Sequence, residues 1–246
     1  MKTINRTAFF KIHVLILLCF GSSAAIAETN LTLNSGTAEP FINADGSGFY
    51  GELVNEVFSR LNIKTNVIRL PSSRSIINAN QGIDDGVIAR TKGINKKFKN
   101  LIRVPESVLT FKFVAYSLNE KIDVKNWDSF KPYSVGMIRG WRIYEKNLVH
   151  TKQLTSVTNA EQLFKLLLNK RSDLILFEYY RGSWWNKHLN ANAHLIGSPI
   201  AEKEMFIYMH KKHAALVPKI TKILSELKKD GSYQRIKNRT LNKYIQ

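Results

Sequence analysis

The alternation of short β-rich segments with segments of helical periodicity constrains the fold more than any other feature of this sequence. The helical segments repeat apolar residues at intervals of three and four, whereas the β-rich segments are short apolar runs. Such alternation predicts an α/β fold with parallel sheets covered by helices on both faces. We expect strands at 31–33, 64–70, 85–89, 112–116, 134–138, 173–177 and 205–209. We expect helices at 51–61, 72–80, near 142–148, from Thr158 through Leu168, and at 214–229.

The first 27 residues have the parts of a secretory signal peptide. Three cations and no acid precede a short apolar run at 12–20, and Ala25-Ile26-Ala27 supplies small residues for cleavage. The run is too short to span a bilayer comfortably. An uncleaved anchor agrees less well with the Ala-Ile-Ala sequence, and a lipoprotein less well with Leu18 before Cys19. We therefore predict cleavage after Ala27 and a periplasmic protein.

The charge of the chain raises the question of nucleic acid, because its formal net charge is +18. Cleavage after Ala27 removes three cations and no acid, which leaves +15, and it also removes the only Cys. The mature chain then has no disulfide and no thiol chemistry. The remaining Lys and Arg are scattered rather than concentrated with aromatics on one element, as a nucleic-acid module requires. We expect no nucleic-acid partner.

The mature chain is long enough for two α/β lobes of about 100 residues each. The strands at 112–116 and 205–209 are the natural places for the chain to cross between the lobes. We therefore predict that residues 28–115 and 205–246 form lobe 1 and that residues 116–204 form lobe 2.

Two motifs that could indicate a cofactor or a metal are weak here. Residues 46–51 match G-x-G-x-x-G, but a loop rather than a long strand precedes them, and no acid ends the next strand. His210 and His213 flank two lysines and have no third ligand nearby in sequence, so we interpret them as part of a solvated loop. We expect no cofactor, no metal and no catalytic residues.

Charged and aromatic residues follow the predicted strands. In open parallel sheets, ligands bind beyond the carboxyl ends of the strands. Arginine holds carboxylates through paired hydrogen bonds, acids hold ammonium groups, and aromatic faces cover apolar groups. The pattern predicts a small, charged or zwitterionic organic ligand. The candidate binding residues are Glu39, Phe41, Arg74, Arg90, Trp141, Arg142, Glu178 and Tyr179. We expect Arg74 and Arg90 to bind an anionic group and Glu178, with Glu39, a cationic one, while Phe41, Trp141 and Tyr179 pack the body of the ligand.

Residues 30–240 resemble the amino-acid-type (family 3) extracellular solute-binding proteins of bacteria. The matching stretches are AEPFINADGSGFYGELVNEVF, RSIINANQGIDDGVIAR, YSVGMIRGW, NAEQLFKLLLNKRSDLILFE and ALVPKITKILSELKKDGSYQRI, in that order. The resemblance implies a two-lobed fold of the type II periplasmic binding proteins, in which each lobe is a parallel or mixed sheet flanked by helices. It also implies closure of the lobes around a ligand.

The resemblance also implies roles for individual residues. Phe41 matches an aromatic of the pocket wall, Trp141 stands where members often have a hydroxyl residue that contacts the ligand carboxylate, and Glu178 matches the ammonium-binding acid. The family's carboxylate-binding Arg usually lies in a T-P-E-R-like loop. The corresponding residues 93–97 contain no Arg, so either Arg90 or Arg74 takes that role.

The expected function is therefore capture of an amino acid or related solute for delivery to a membrane transporter permease. Two alternatives stay open, namely a dehydratase-like enzyme on the same fold and a sensor that presents its ligand to a membrane receptor. The partners are then a small ligand and the permease or receptor, and we expect a monomer because nothing in the sequence favours an oligomer.

Overall fold

A computed structural model of the protein describes residues 30–245. This part of the chain forms eight strands and seven α-helices. The strands are β1 (Asn30–Ser35), β2 (Lys64–Arg69), β3 (Gly86–Thr91), β4 (Leu101–Ser117), β5 (Ser134–Ile138), β6 (Gln153–Val157), β7 (Leu174–Glu178) and β8 (His194–His210). The helices are α1 (Phe49–Ser59), α2 (Ser72–Gln81), α3 (Arg142–Asn147), α4 (Ala160–Leu168), α5 (Tyr179–His188), α6 (Val217–Lys229) and α7 (Ser232–Thr240).

All eight strands belong to one hydrogen-bonded sheet, in the order β2-β1-β3-β8-β4-β7-β5-β6. The outer strands on each side are parallel to one another, since β1 pairs with β2 and β3 while β5 pairs with β6 and β7. The central pairs β3–β8, β8–β4 and β4–β7 are antiparallel. Each lobe is thus a mixed sheet flanked by helices, and the predicted two-lobed α/β fold is confirmed.

The two central strands connect the lobes. β4 and β8 are 17 residues long, and their pairing runs from Leu101 opposite His210 to Ser117 opposite His194. The segments predicted as strands at 112–116 and 205–209 are parts of these longer strands. Polar residues interrupt the rest of each strand, so its apolar pattern is too short to reveal its full length. The predicted residue limits of the two lobes stay a prediction.

Three elements were not expected from the sequence. α5 buries only Tyr180, Gly182 and Asn186, so it has no apolar stripe of helical periodicity. α7 buries one large apolar side chain, that of Ile236, among polar and basic residues. β6 is an exposed edge strand. The predicted last helix also begins three residues later than expected, because residues 211–216 form a 3₁₀ turn before Pro218 in the first turn of α6.

The glycine-rich segment at 46–51 is a tight turn that leads into α1. Gly46 has φ +82°, and a Cβ added there would lie 2.1 Å from the carbonyl oxygen of Val67 in β2. A Cβ on Gly51 would lie 2.1 Å from the carbonyl oxygen of Gly46. Close backbone packing accounts for these glycines, in agreement with the rejection of a dinucleotide motif.

Between residues 30 and 245, no helix is long and apolar enough to cross a membrane. The predicted signal peptide lies outside the described residues.

Candidate functional site

Glu178 is the last residue of β7 and the N-cap of α5, and its side chain is fully buried. Its Oε2 accepts a hydrogen bond from the backbone N–H of Arg181 at 3.0 Å. Its Oε1 is buried and has no hydrogen-bond partner within residues 30–245. A buried carboxylate oxygen without a partner is costly, so this atom is free to receive a donor from a ligand.

The surroundings of Glu178 disfavour its charge. Burial raises the pKa of Glu178 to about 7, while the hydrogen bond from Arg181 N–H, the nearby backbone N–H groups of Tyr180 and Lys112 and the charge of Arg181 oppose that rise. The carboxyl group therefore changes charge near neutral pH.

Two tyrosines, Tyr50 and Tyr180, link Phe41 to the surroundings of Glu178. The Phe41 ring is fully buried, stacks on Tyr50 and Phe111 with centroid distances of 5.3 and 4.9 Å, and meets the edge of Tyr180 at 6.2 Å. The Tyr50 hydroxyl is buried without a partner among the described residues, and burial followed by the nearby charge of Glu178 raises the pKa of Tyr50 well above its usual value. Phe41 and Glu178 thus share one apolar environment.

Trp141 lies in a neighbouring group of rings. It is half-buried, stacks on Tyr144 at 5.5 Å with an interplanar angle of 3°, and lies 5.2 Å from the ring of Phe177, the neighbour of Glu178. Its edge also meets Phe113 of β4 at 6.0 Å. We call Phe41, Tyr50, Glu178 and Tyr180 the buried cluster.

Two arginines that the sequence analysis did not select lie beside the two predicted acids. Arg69, the last residue of β2, donates from Nη1 to Glu39 Oε1 at 2.8 Å. The charge of Arg181 interacts with those of Glu178, Glu39 and Arg69, and its guanidinium lies over the ring of Phe177 at 4.8 Å. Burial lowers the pKa of Arg181 to about 10, so it stays charged at neutral pH. The signal in the sequence was the three-residue spacing between Glu178 and Arg181, which places both at the start of one helix.

Arg90 lies near the end of β3 and is held by neutral oxygens only. Its two Nη atoms donate to Ser72 Oγ, the Ser72 carbonyl and Ser75 Oγ at 2.8–3.0 Å. Ser75 Oγ in turn donates to Asn34 Oδ1, and Asn34 Nδ2 donates to Asp84 Oδ2, each at 2.5 Å. Burial lowers the pKa of Arg90 to about 10. The chain of hydrogen bonds fixes a charged guanidinium without neutralising it.

Arg142 lines a cavity of about 900 Å³ between the lobes, which we call the open cleft. β3 contributes Thr91, followed by Lys92, the central strands contribute Phe113 and residues 201–204, and α3 contributes Arg142 and Lys146. Arg74, by contrast, is exposed in the first turn of α2, and within residues 30–245 it makes no hydrogen bond or ion pair. The structure therefore brings Arg142 to a cavity, whereas Arg74 is exposed on α2.

Tyr179 faces a different cavity from the other aromatic residues. It lines a space of about 320 Å³ with Tyr116, Ser183 and Tyr244, among others, and its ring makes a T-shaped contact with that of Tyr180, with the centroids 5.1 Å apart. Tyr180, not Tyr179, packs on Phe41. The expected role of Tyr179 in packing the ligand stays a prediction.

The histidines near the end of β8 do not form a metal site. His213 Nε2 lies 2.7 Å from Asp85 Oδ1, which also contacts Lys212, so His213 is paired and not solvated as expected. No cluster of three metal-ligating side chains exists within residues 30–245.

A family model for the bacterial extracellular solute-binding proteins, family 3, matches residues 34–243. The chain belongs to this family. An uncharacterized protein of Shewanella oneidensis is 23% identical over an alignment that covers 90% of each chain.

Solved structures of similar fold bind small solutes. An ancestral cationic amino acid solute-binding protein superposes with a TM-score of 0.72 at 17% identity, over 86% of this chain and 95% of that one. The L-cystine solute receptor of Neisseria gonorrhoeae, in its unliganded open conformation, gives a TM-score of 0.68 at 20% identity, over 88% of this chain and 94% of that one. At these identities the likeness establishes the fold, and the ligands belong to those proteins.

Proposed function

We propose that this family 3 protein is a periplasmic, cofactor-free monomer that captures a small polar or zwitterionic solute between its lobes. The solute is an amino acid or a related metabolite, and the protein delivers it to a membrane transporter permease or presents it to a receptor. Family membership supports the solute-binding role.

The observation that carries the proposal is the unpartnered Oε1 of Glu178, which lies among rings that exclude water. An N–H donor of the ligand satisfies this oxygen, and Phe41 and Trp141 cover the adjoining apolar part. Because Phe41 and Glu178 are both fully buried, the lobes must separate for a ligand to enter.

Thermal-shift measurements against amino acids, polyamines, organic acids and small peptides test the proposal. A ligand at 100 times its Kd stabilises the protein by about 2.7 kcal/mol, which corresponds to a rise in Tm of at least about 5 °C for a chain of this size. Glu178→Gln is expected to remove the shift, whereas Glu161→Gln, at an exposed acid on α4, leaves it unchanged. The absence of a shift with every compound contradicts the proposal.

A second candidate function, general acid catalysis of a dehydration, is favoured by one observation, which is that the pKa of Glu178 is raised to about 7. The two functions differ in the fate of the ligand. NMR of a binding compound after long incubation with the protein decides between them, since a binding protein returns the compound unchanged.

A further inference from the structure

The two acids expected to bind a cationic group of the ligand already have arginine neighbours. Glu39 is paired with Arg69 at 2.8 Å, and Glu178 interacts with Arg181. These four side chains carry two negative and two positive charges when ionised, so this side of the site is balanced before any ligand arrives. Glu178 Oε1 still has room for one N–H donor, but the surroundings do not favour a ligand with net positive charge.

The open cleft has an excess of cations. Its charged lining consists of Lys92, Arg142, Lys146 and Lys203 against Glu202 and Glu204. None of these six side chains takes part in an ion pair within residues 30–245. The lining therefore has a net charge of +2. Its cationic residues come from the segment after β3, from α3 and from the central strand β8.

Arg90 adds a further uncompensated cation two residues before Lys92. Its guanidinium is bound to hydroxyl and carbonyl oxygens and to no acid, and its Nε is buried without a partner among the described residues. Both Nη2 hydrogens and one Nη1 hydrogen are already used, so this guanidinium offers a carboxylate its charge and its two remaining N–H donors, and no rotamer freedom is lost on binding.

We propose that the ligand is a small organic acid with two anionic groups and net negative charge, of which an acidic amino acid is the form that also supplies an N–H donor for Glu178. This inference rests on the proposed solute-binding function and specifies its ligand class. The cations of the open cleft and Arg90 hold the anionic groups, and Arg181 prevents Glu178 from selecting a cationic ligand.

Isothermal titration calorimetry of the protein with L-glutamate and L-glutamine isolates the charge, because the two compounds have nearly the same shape. L-Glutamate is expected to bind at least about tenfold more tightly, a difference of about 1.4 kcal/mol. Succinate distinguishes a dicarboxylate preference from an amino acid preference, and binding of either diacid supports the proposal. Affinity for the diacid is also expected to fall as salt is added, because the cleft is open to water.

The failure of this proposal is distinguishable from the failure of the solute-binding function. Tighter binding of L-glutamine, L-arginine or L-lysine than of both diacids overturns the anionic class and leaves solute binding intact. Binding of none of the five compounds also overturns the anionic class. Solute binding itself fails only if the wider thermal-shift panel is silent as well.

Variants test the charges directly. Arg142→Gln and Lys203→Gln are each expected to weaken diacid binding by up to about tenfold, with a smaller salt dependence. Lys222→Gln, at an exposed cation on α6, is the matched control and leaves the affinity unchanged. Equal affinities of all three variants for the diacid contradict the proposal.

Arg181→Gln is expected to move the selectivity toward L-lysine, because Glu178 then lacks a cationic neighbour. If Arg181 is merely structural, its replacement lowers stability without changing the ratio of the affinities for L-lysine and L-glutamate. If this variant does not fold, Arg69→Gln at the partly exposed partner of Glu39 gives the same comparison. An unchanged lysine-to-glutamate ratio in the folded variant overturns the role assigned to this arginine.

Discussion

Glu178 and Arg142 are both charged residues beside the ends of strands in the same lobe, yet their surroundings differ completely. Glu178 lies in the buried cluster, where Phe41 and Tyr50 are also fully buried. Arg142 lies in the open cleft among exposed lysines and glutamates. In the first region each polar atom must be satisfied by protein or ligand, whereas in the second region water satisfies and screens the charges.

The difference separates two contributions to binding. The buried cluster sets which hydrogen-bond pattern and shape the ligand must have, because a wrong group there leaves an unpaired atom. The open cleft sets the preferred charge and the rate of approach, because its field extends into solvent. Changes in the buried cluster should therefore affect stability strongly, and changes in the open cleft weakly.

The largest effect is expected for Phe41→Ala. The ring is fully buried between Tyr50, Phe111 and Tyr180, so its removal leaves a cavity and lowers the free energy of unfolding by about 3–5 kcal/mol. Urea denaturation measures the loss. Ile83→Ala, at a side chain that is 65% exposed, is the control and changes stability by less than about 0.5 kcal/mol. Similar small losses in both variants contradict a closed, well-packed buried cluster.

The second effect is a pH dependence that Glu178 causes. Its pKa is raised from 4.5 to about 7 by burial, so the folded state holds a proton that the unfolded state releases. The stabilisation contributed by Glu178 is therefore highest below pH 4.5, falls as the pH rises toward about 7, and levels off above it. The total loss is about 3 kcal/mol.

The comparison of wild type with Glu178→Gln isolates this dependence from that of other groups. Free energies of unfolding are measured for both proteins by denaturation between pH 5 and pH 8. The wild type should lose stability relative to the variant over this range. If the unfolding free energies of the two proteins change in parallel with pH, the carboxyl group of Glu178 is solvated. Its surroundings then do not differ from those of Arg142.

Ser75→Ala tests a buried region that is polar but satisfied. Ser75 is fully buried, donates to Asn34 and accepts from Arg90. Its loss leaves Asn34 Oδ1 without this donor, and we expect a cost of about 1–3 kcal/mol in thermal or urea unfolding. A neutral result indicates that water replaces the hydroxyl, and Arg90 is then less firmly held than the hydrogen bonds suggest.

The smallest effect is expected for Arg142→Ala, which should change the free energy of unfolding by less than about 0.5 kcal/mol because the side chain is exposed. Urea denaturation at low and high salt measures it. A loss above about 1.5 kcal/mol shows that Arg142 packs in the core, so that its effects on binding no longer report charge alone.

The sequence predicted the elements whose patterns are local. The apolar face of α1, formed by Leu53, Val54, Val57 and Phe58, is buried as its spacing indicates. α5 could not be predicted in this way, because it is set by the N-cap at Glu178 and by contacts with β4 rather than by an apolar stripe. A Cβ on Gly182, for example, would lie 2.3 Å from the Tyr116 ring.

The candidate site was predictable in part, where its residues follow directly after a predicted strand. The carboxyl ends of strands pointed to Phe41 and Glu178, which are both fully buried, and to Trp141, which packs on Phe177 and Phe113. Tyr50 and Arg69 were missed because the first lies within a helix and the second within a strand, and only the tertiary structure brings them near Glu178 and Glu39. Spacing along the chain has no information about such distant neighbours.

The pairing of β3 with β8 has a consequence for the order in which the protein is made. Gly86 and Val87 find their antiparallel partners at Met209 and Tyr208, more than 100 residues later. The other lobe joins β5, β6 and β7 within a short continuous segment. During synthesis, which delivers the chain from the N-terminus, the part made first must wait for β8 before its sheet is complete. The lobe that is begun first is finished last.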